Sequence, residues 1–262
     1  MTSDPCLGIV DWGVGGLGLV RELDRCVPGL PVLYWSDAGV TPYGRMRSAD
    51  LAARLSAVIA ELARRGATEV VLACNAASTV APRLTRAPVA VEGIIGHGLA
   101  SVSDQIRGTV GVVGGRRTIA SGCYRRGLAR PGREVLSRVA QPLSAHIEAG
   151  STGSPGFVAD LRRIVAPLRG AQALVLACTH YPAVSDWFAD ALPGTTLIDP
   201  AQRLTTAIAA RHRAARTGPV AERAYLTSGD TDAMRRGAAI AWGVDLHAEP
   251  AAAAGQLGTR IH

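Results

Sequence analysis

The chain has 262 residues, 48% hydrophobic and 19% charged, which is enough to bury a sizeable core and too apolar for a disordered chain. Its 28 basic residues are all arginine, so imine chemistry on a lysine and a Gly-Lys-Ser phosphate loop are both excluded. The net charge of +7 is spread over pairs such as Arg64-Arg65, Arg116-Arg117 and Arg125-Arg126, which read as solvated helix faces and loops; no polybasic run marks a nucleic-acid surface. The opening MTSDPCLGIVDWG lacks a basic segment followed by a long apolar one, and no stretch approaches the roughly 18 apolar residues of a membrane span. A cytoplasmic protein is expected.

The first element, LGIVDWGVGG, is an apolar strand running into a glycine-rich turn, with a helix after it and a second strand ending at Asp37. Ser48 to Arg65 reads as a helix: Leu51, Leu55, Val58, Ile59 and Leu62 form one stripe, Ser48 is placed to cap and Gly66 to terminate. EVVLAC follows as a buried strand, and TVGVVGG and ALVLAC are strands of the same kind later in the chain. The tail AAAAGQLGTRIH reads as a frayed terminus. Short apolar runs alternating with helical stretches predict an α/β fold with parallel sheets covered on both faces.

These elements repeat. LGIVDWGVGG and TVGVVGGRRT each lead to a strand ending in Ala-Cys, with 63 residues between Asp11 and Cys74 and 64 between Gly114 and Cys178. Two similar doubly wound halves are therefore expected to face each other across a cleft, each offering the carboxyl end of its sheet. The cleft would hold two cysteines. Five cysteines at irregular spacing make neither a disulfide frame nor a zinc site. His97, His146, His212, His247 and His262 show no ligand spacing, so no metal is expected. Cys6, Cys26 and Cys123 read as small apolar core residues. Cys74 and Cys178 differ because their surroundings repeat: a thiol at a strand end with a helix starting beyond it is favoured as thiolate. Two such thiols on opposite sides of one carbon are what a cofactor-free racemase requires, one removing the α-proton and the other delivering a proton to the opposite face. Beside them, Asp11 is either a turn-capping carboxylate or a proton-handling group, and His180 either an interface histidine or a partner of Cys178.

At this point the sequence resembles the glutamate racemase branch of the aspartate/glutamate racemase superfamily over essentially its whole length. IVDWGVGGLGLVREL is similar to the family's Asp-Ser-Gly-x-Gly-Gly-Leu opening, TPYGRMRS to its Pro-Tyr-Gly segment, LACNAAS to its first cysteine motif, and LACTHYP matches its second without change. LIDPA and YLTSGD resemble late family segments. The resemblance implies that Cys74 and Cys178 are the two bases, that Asp11 and His180 assist, and that Glu148 is a further acidic helper unless it is simply solvent-exposed. It implies a substrate shell of Asp11, Trp12, Tyr43, Gly44, Asn75, Ala76, Thr179 and His180, with Tyr43, the Gly44 amide, Asn75 and Thr179 holding carboxylates. It further implies no cofactor, an amino acid as partner, production of a D-amino acid for peptidoglycan, a homodimer, and a discontinuous first domain (1–94 plus 208–262) around a second (95–207).

Two departures bear on the substrate. Trp12 stands where the family has serine and Ala76 where it has threonine, and the Gly-Thr after the central strand reads Gly114-Gly115, then Arg116 and Arg117. The same two-thiol chemistry on a different amino acid, or loss of turnover, are the alternatives to glutamate. A rival from another class is a dehydrogenase: Gly13, Gly15 and Gly18 spell a dinucleotide fingerprint with Asp37 about 20 residues on. Another is a non-catalytic partner-binding module, since some relatives bind DNA gyrase, although the sequence singles out no such surface.

Overall fold

The computed structural model describes residues 5–251; the tail from 252 onward, His262 included, lies outside them. Among the described residues, ten strands form two sheets: β1 (Leu7–Asp11), β2 (Val32–Ser36), β3 (Glu69–Leu72), β4 (Ala90–Gly93), β5 (Gly108–Gly114), β6 (Arg133–Val139), β7 (Ala173–Ala177), β8 (Thr196–Ile198), β9 (Arg223–Thr227) and β10 (Ala248–Pro250). The first sheet runs β10-β9-β2-β1-β3-β4 and the second β6-β5-β7-β8, every pairing parallel. Both contain one four-strand unit in which the first strand lies between the second and third and the fourth lies outside. The internal repeat is thus a repeat of topology, and β9 and β10 are an addition that brings the end of the chain back to the first half.

Alternation along the central strands supplies a core to each face of each sheet. Leu7 and Ile9 of β1 join Val71 in one cluster, while Val10 joins Val70 and Leu72 in another. In β7, Leu174 and Leu176 point to one side, and Ala173, Val175 and Ala177 to the other. A strand covered on both faces has no polar side to display, which is why these runs are continuously apolar. The chain crosses between halves at the helices Ile94–Ala100 and Pro200–Arg211. Ile94 packs in the first half's core and Ile95 in the second's. The boundary expected at 207/208 falls inside the later helix, whose Leu204 and Ile208 both pack in the first half's core.

The helix expected from Ser48 spans Ser48–Arg64, with the five expected apolar residues buried. Its cap differs from expectation. Arg47 occupies the capping position and Ser48 is the first helical residue; the Ser48 hydroxyl instead accepts a hydrogen bond from Arg117 at 2.8 Å. Gly66, at φ 104°, ends the helix in a backbone conformation open to glycine. Among the described residues, no helix is long and apolar enough to cross a membrane.

Candidate active site

The carboxyl ends of β1 and β3 face those of β5 and β7 across a cavity of about 450 Å³. Asp11 is the last residue of β1, Cys178 follows β7 directly, and Cys74 comes after β3 with Ala73 between them. Both thiols line this cavity and both are half-buried. Trp12, Tyr43, Gly44, Asn75 and Ala76 line it from the first half, and Glu148, Thr179 and His180 from the second. All the residues singled out by the motifs therefore meet in one space.

The glycine-rich turn lets the halves approach. A Cβ on Gly15 would lie 2.3 Å from Thr179 Oγ1 and 2.8 Å from His180 Nδ1, so only glycine admits the segment after Cys178. The Gly16 amide donates to Asp11 Oδ2 at 2.6 Å, and Thr179 Oγ1 donates to the same oxygen at 3.2 Å. Asp11 thus sits buried at the seam, bound to the turn on one side and the opposite half on the other. A dinucleotide would need that amide for its pyrophosphate and Asp37 for its ribose. Asp37 is fully buried and receives Arg54 through two nitrogens at 2.9 and 2.5 Å, Tyr43 at 2.8 Å, Trp35 at 3.1 Å and Ser228 at 2.8 Å. Both groups are already committed, so the fingerprint is a packing feature.

The same cluster revises the part expected of Tyr43. Its hydroxyl donates to Asp37, leaving the ring to shape the cavity wall. Trp12 is likewise tied by its polar end: Nε1 donates to the Val40 carbonyl at 3.1 Å, bracing the loop that carries Tyr43, Gly44 and Arg45. Asn75 accepts from Tyr124 of the opposite half at 2.8 Å through Oδ1, which leaves its amide N–H groups free to donate.

The two thiols have different company. Burial, the Asp11 carboxylate and Cys178 push the Cys74 thiol well up, against the opposing pull of the Ala77 and Ala76 backbone amides. Cys178 Sγ lies 3.8 Å from His180 Nδ1, and His180 Nε2 lies 3.0 Å from Glu148 Oε1. That second contact is within ion-pair distance but too poorly aligned for a hydrogen bond. Burial alone would hold the His180 imidazole neutral; Cys178 and Glu148 outweigh it and raise its pKa well above the usual histidine range. An imidazolium so placed is able to exchange a proton with Cys178.

Two features were not among the expected site residues. Tyr181 is fully buried with no hydrogen-bond partner for its hydroxyl, and burial, then Cys178, push its phenol well up. Arg117, expected on a solvated face, is part-buried in the cavity wall and donates across to the first half, to Thr79 Oγ1, the Met46 carbonyl and Ser48 Oγ, each at 2.8 Å. Its pairing with Arg116 in the sequence hid the difference between them.

The site thus joins two similar α/β halves, each placing a thiol in one shared cleft. A family model for Asp/Glu/hydantoin racemase matches residues 7–208. The glutamate racemase of Desulforudis audaxviator is 33% identical over 249 residues, covering 87% of this chain and 90% of that one. The glutamate racemase of Pseudomonas entomophila is 32% identical over 251 residues, covering 90% and 93%. The solved glutamate racemase of Thermus thermophilus, in complex with β-chloro-D-alanine, superposes with a TM-score of 0.84 at 26% identity, covering 95% of this chain and 97% of that one. A Bacillus anthracis glutamate racemase shares the fold with a TM-score of 0.87 at 22% identity, covering 97% and 99%. The chain belongs to the Asp/Glu/hydantoin racemase family.

Proposed function

We propose that the protein is a cytoplasmic, cofactor-independent glutamate racemase that interconverts enantiomers by two-thiol proton transfer and supplies a D-amino acid for peptidoglycan. The observation that carries this reading is that Cys74 and Cys178, from repeated positions in two sheets, line one cavity of about 450 Å³. One sulfur, as thiolate, takes the α-proton; the electron pair left on the α-carbon is delocalised into the α-carboxylate; the other sulfur, as thiol, returns a proton to the opposite face. The bond broken and the bond formed are both C–H, so nothing is oxidised. The Asn75 amide, next to Cys74 in the chain and with its N–H groups free, is suited to the α-carboxylate, and Asp11 to the ammonium.

Each part has one task. His180 shuttles the Cys178 proton and is held in its charged form by Glu148. Asp11 keeps Cys74 protonated until substrate arrives. The experiment is α-proton exchange in heavy water, followed by NMR on L- and D-glutamate, for the wild type and for Cys74→Ser and Cys178→Ser. Deuterium should enter both enantiomers with the wild type. Each variant should lose net racemisation by at least about 100-fold, the low end of what a positioned acid or base contributes. Wild-type exchange that survives both substitutions would remove the thiols from the mechanism.

A further inference from the structure

The cavity is electrically lopsided. Asp11 and Glu148, its two acids, are engaged by Thr179 and His180. On the wall stand Arg45, Arg116 and Arg117, and among the described residues none of the three has a carboxylate within ion-pair distance. An amino acid with a neutral side chain brings one carboxylate and one ammonium and leaves that excess positive charge unanswered. A second carboxylate would answer it.

Of the three, Arg117 is the one fixed in place. Its Nε and both terminal nitrogens each donate one hydrogen bond, to Thr79, Met46 and Ser48, and all three acceptors are uncharged. A guanidinium carries five N–H groups, so one remains on each terminal nitrogen for a further acceptor such as a carboxylate. Burial and the nearby Arg83 lower its pKa while Cys74 raises it. Around it the family's hydroxyl groups are gone: Trp12, Ala76 and Gly115 stand at their positions and line the same space.

We propose that Arg117 replaces those hydroxyls and binds the side-chain carboxylate of the substrate, making it the residue that selects an acidic amino acid. Its anchors lie in the first half while it belongs to the second, so the carboxylate would be gripped at the seam, on a wall separate from the Asn75 amide that takes the α-carboxylate. This rests on the racemase reading above, and the competing role for Arg117 is a strut between halves.

The test compares the wild type with Arg117→Gln, Arg117→Lys and the double variant Ser48→Ala, Thr79→Val. Racemisation of glutamate and glutamine is followed by circular dichroism, and binding of D-glutamate by calorimetry. Arg117→Gln should raise KM and Kd for glutamate about 10- to 100-fold, the loss expected for a charged hydrogen-bond pair, with kcat within a few-fold and glutamine kinetics unmoved. Arg117→Lys should recover part of the loss, because the charge is kept without the planar guanidinium. The double variant removes two struts and keeps the guanidinium, and should hold KM within about threefold. Equal losses on glutamate and glutamine, or a double variant that reproduces Arg117→Gln, would make Arg117 a strut and overturn the proposal. Tight, Arg117-dependent glutamate binding without turnover would sink the racemase reading and leave the proposal standing. Turnover restricted to neutral amino acids, indifferent to Arg117→Gln, would do the reverse, and a wild type that binds no dicarboxylate sinks the proposal.

Discussion

Near Cys74, the Asp37–Arg54 ion pair is locked away behind the cavity wall; at Cys178, an imidazole and a carboxylate line up on the sulfur itself. On the first side Asp37 and Arg54 neutralise each other behind the cavity wall, with Tyr43, Trp35 and Ser228 completing the carboxylate's hydrogen bonds. What Cys74 itself meets is burial, Asp11, two backbone amides and the opposite thiol, Cys178, with no titratable side chain of its own half in contact with the sulfur. On the second side the imidazole of His180 lies between the sulfur and Glu148. Sheets of matching strand order thus carry unlike sites. The fold repeat places two equivalent thiols, and side chains outside the repeat set a titratable imidazole against one of them and none against the other.

The largest effect separates stability from chemistry. Asp37→Asn leaves Arg54 charged and partnered by an amide in a buried place, and should cost about 3 to 5 kcal/mol of unfolding free energy, measured by urea denaturation. Although burial alone would raise it, the Asp37 pKa is held below its ordinary 3.8 by Arg54, Trp35 and Tyr43. A depressed folded-state pKa gives stability that is present above the ordinary carboxylate range and is lost as pH falls through the folded value. The variant should therefore lose the share of acid-side dependence that Asp37 supplies, keeping that of Glu61 and Asp160, while α-proton exchange per folded molecule stays close to wild type. A large drop in exchange would mean that the Asp37–Arg54 pair is not locked away from the chemistry.

Next comes His180→Asn, which removes the imidazole proposed as the shuttle and keeps a polar group. Exchange initiated at Cys178 should fall about 100-fold, within the range of a lost general acid or base, with exchange initiated at Cys74 reduced far less. Measuring L- and D-glutamate separately reads the two sides apart. Equal losses for both enantiomers would erase the distinction drawn between them.

Much of this was legible in the chain. Continuous apolar strands, the glycine-rich turns and the two Ala-Cys endings suffice for the paired parallel sheets, because burial on both faces dictates composition and the repeat dictates symmetry. Cys74, Cys178, Asp11 and His180 were legible for the same reason, since strand ends of parallel sheets open on one cleft. Other features depend on partners far off in sequence. Ser48 carries the signature of a cap, yet its hydroxyl serves Arg117, 69 positions away. Tyr43 has the look of a substrate donor until Asp37 is found to hold it. Nothing local distinguishes Arg117 from Arg116, because the difference lies in which neighbours the cleft brings and in the carboxylate that none of them supplies.

The smallest effect tests whether Glu148 sustains the second side. His180 owes its raised pKa to Cys178 and Glu148 acting against burial. A histidine raised on folding contributes stability that is complete below its unfolded value near 6.5 and is lost as pH rises through the folded one. Glu148→Gln removes one of the two supports while keeping shape, so the folded value should fall and that loss should begin at lower pH. The alkaline limb of the pH–rate profile should shift in the same direction. Since the Glu148 side chain is 38% exposed and poorly aligned with Nε2, water screens the pair, and kcat at neutral pH should drop only about two- to fivefold. A bystander glutamate would leave the limb in place, and a catalytic one would lower kcat at every pH without moving it. Only a residue acting through His180 moves the limb.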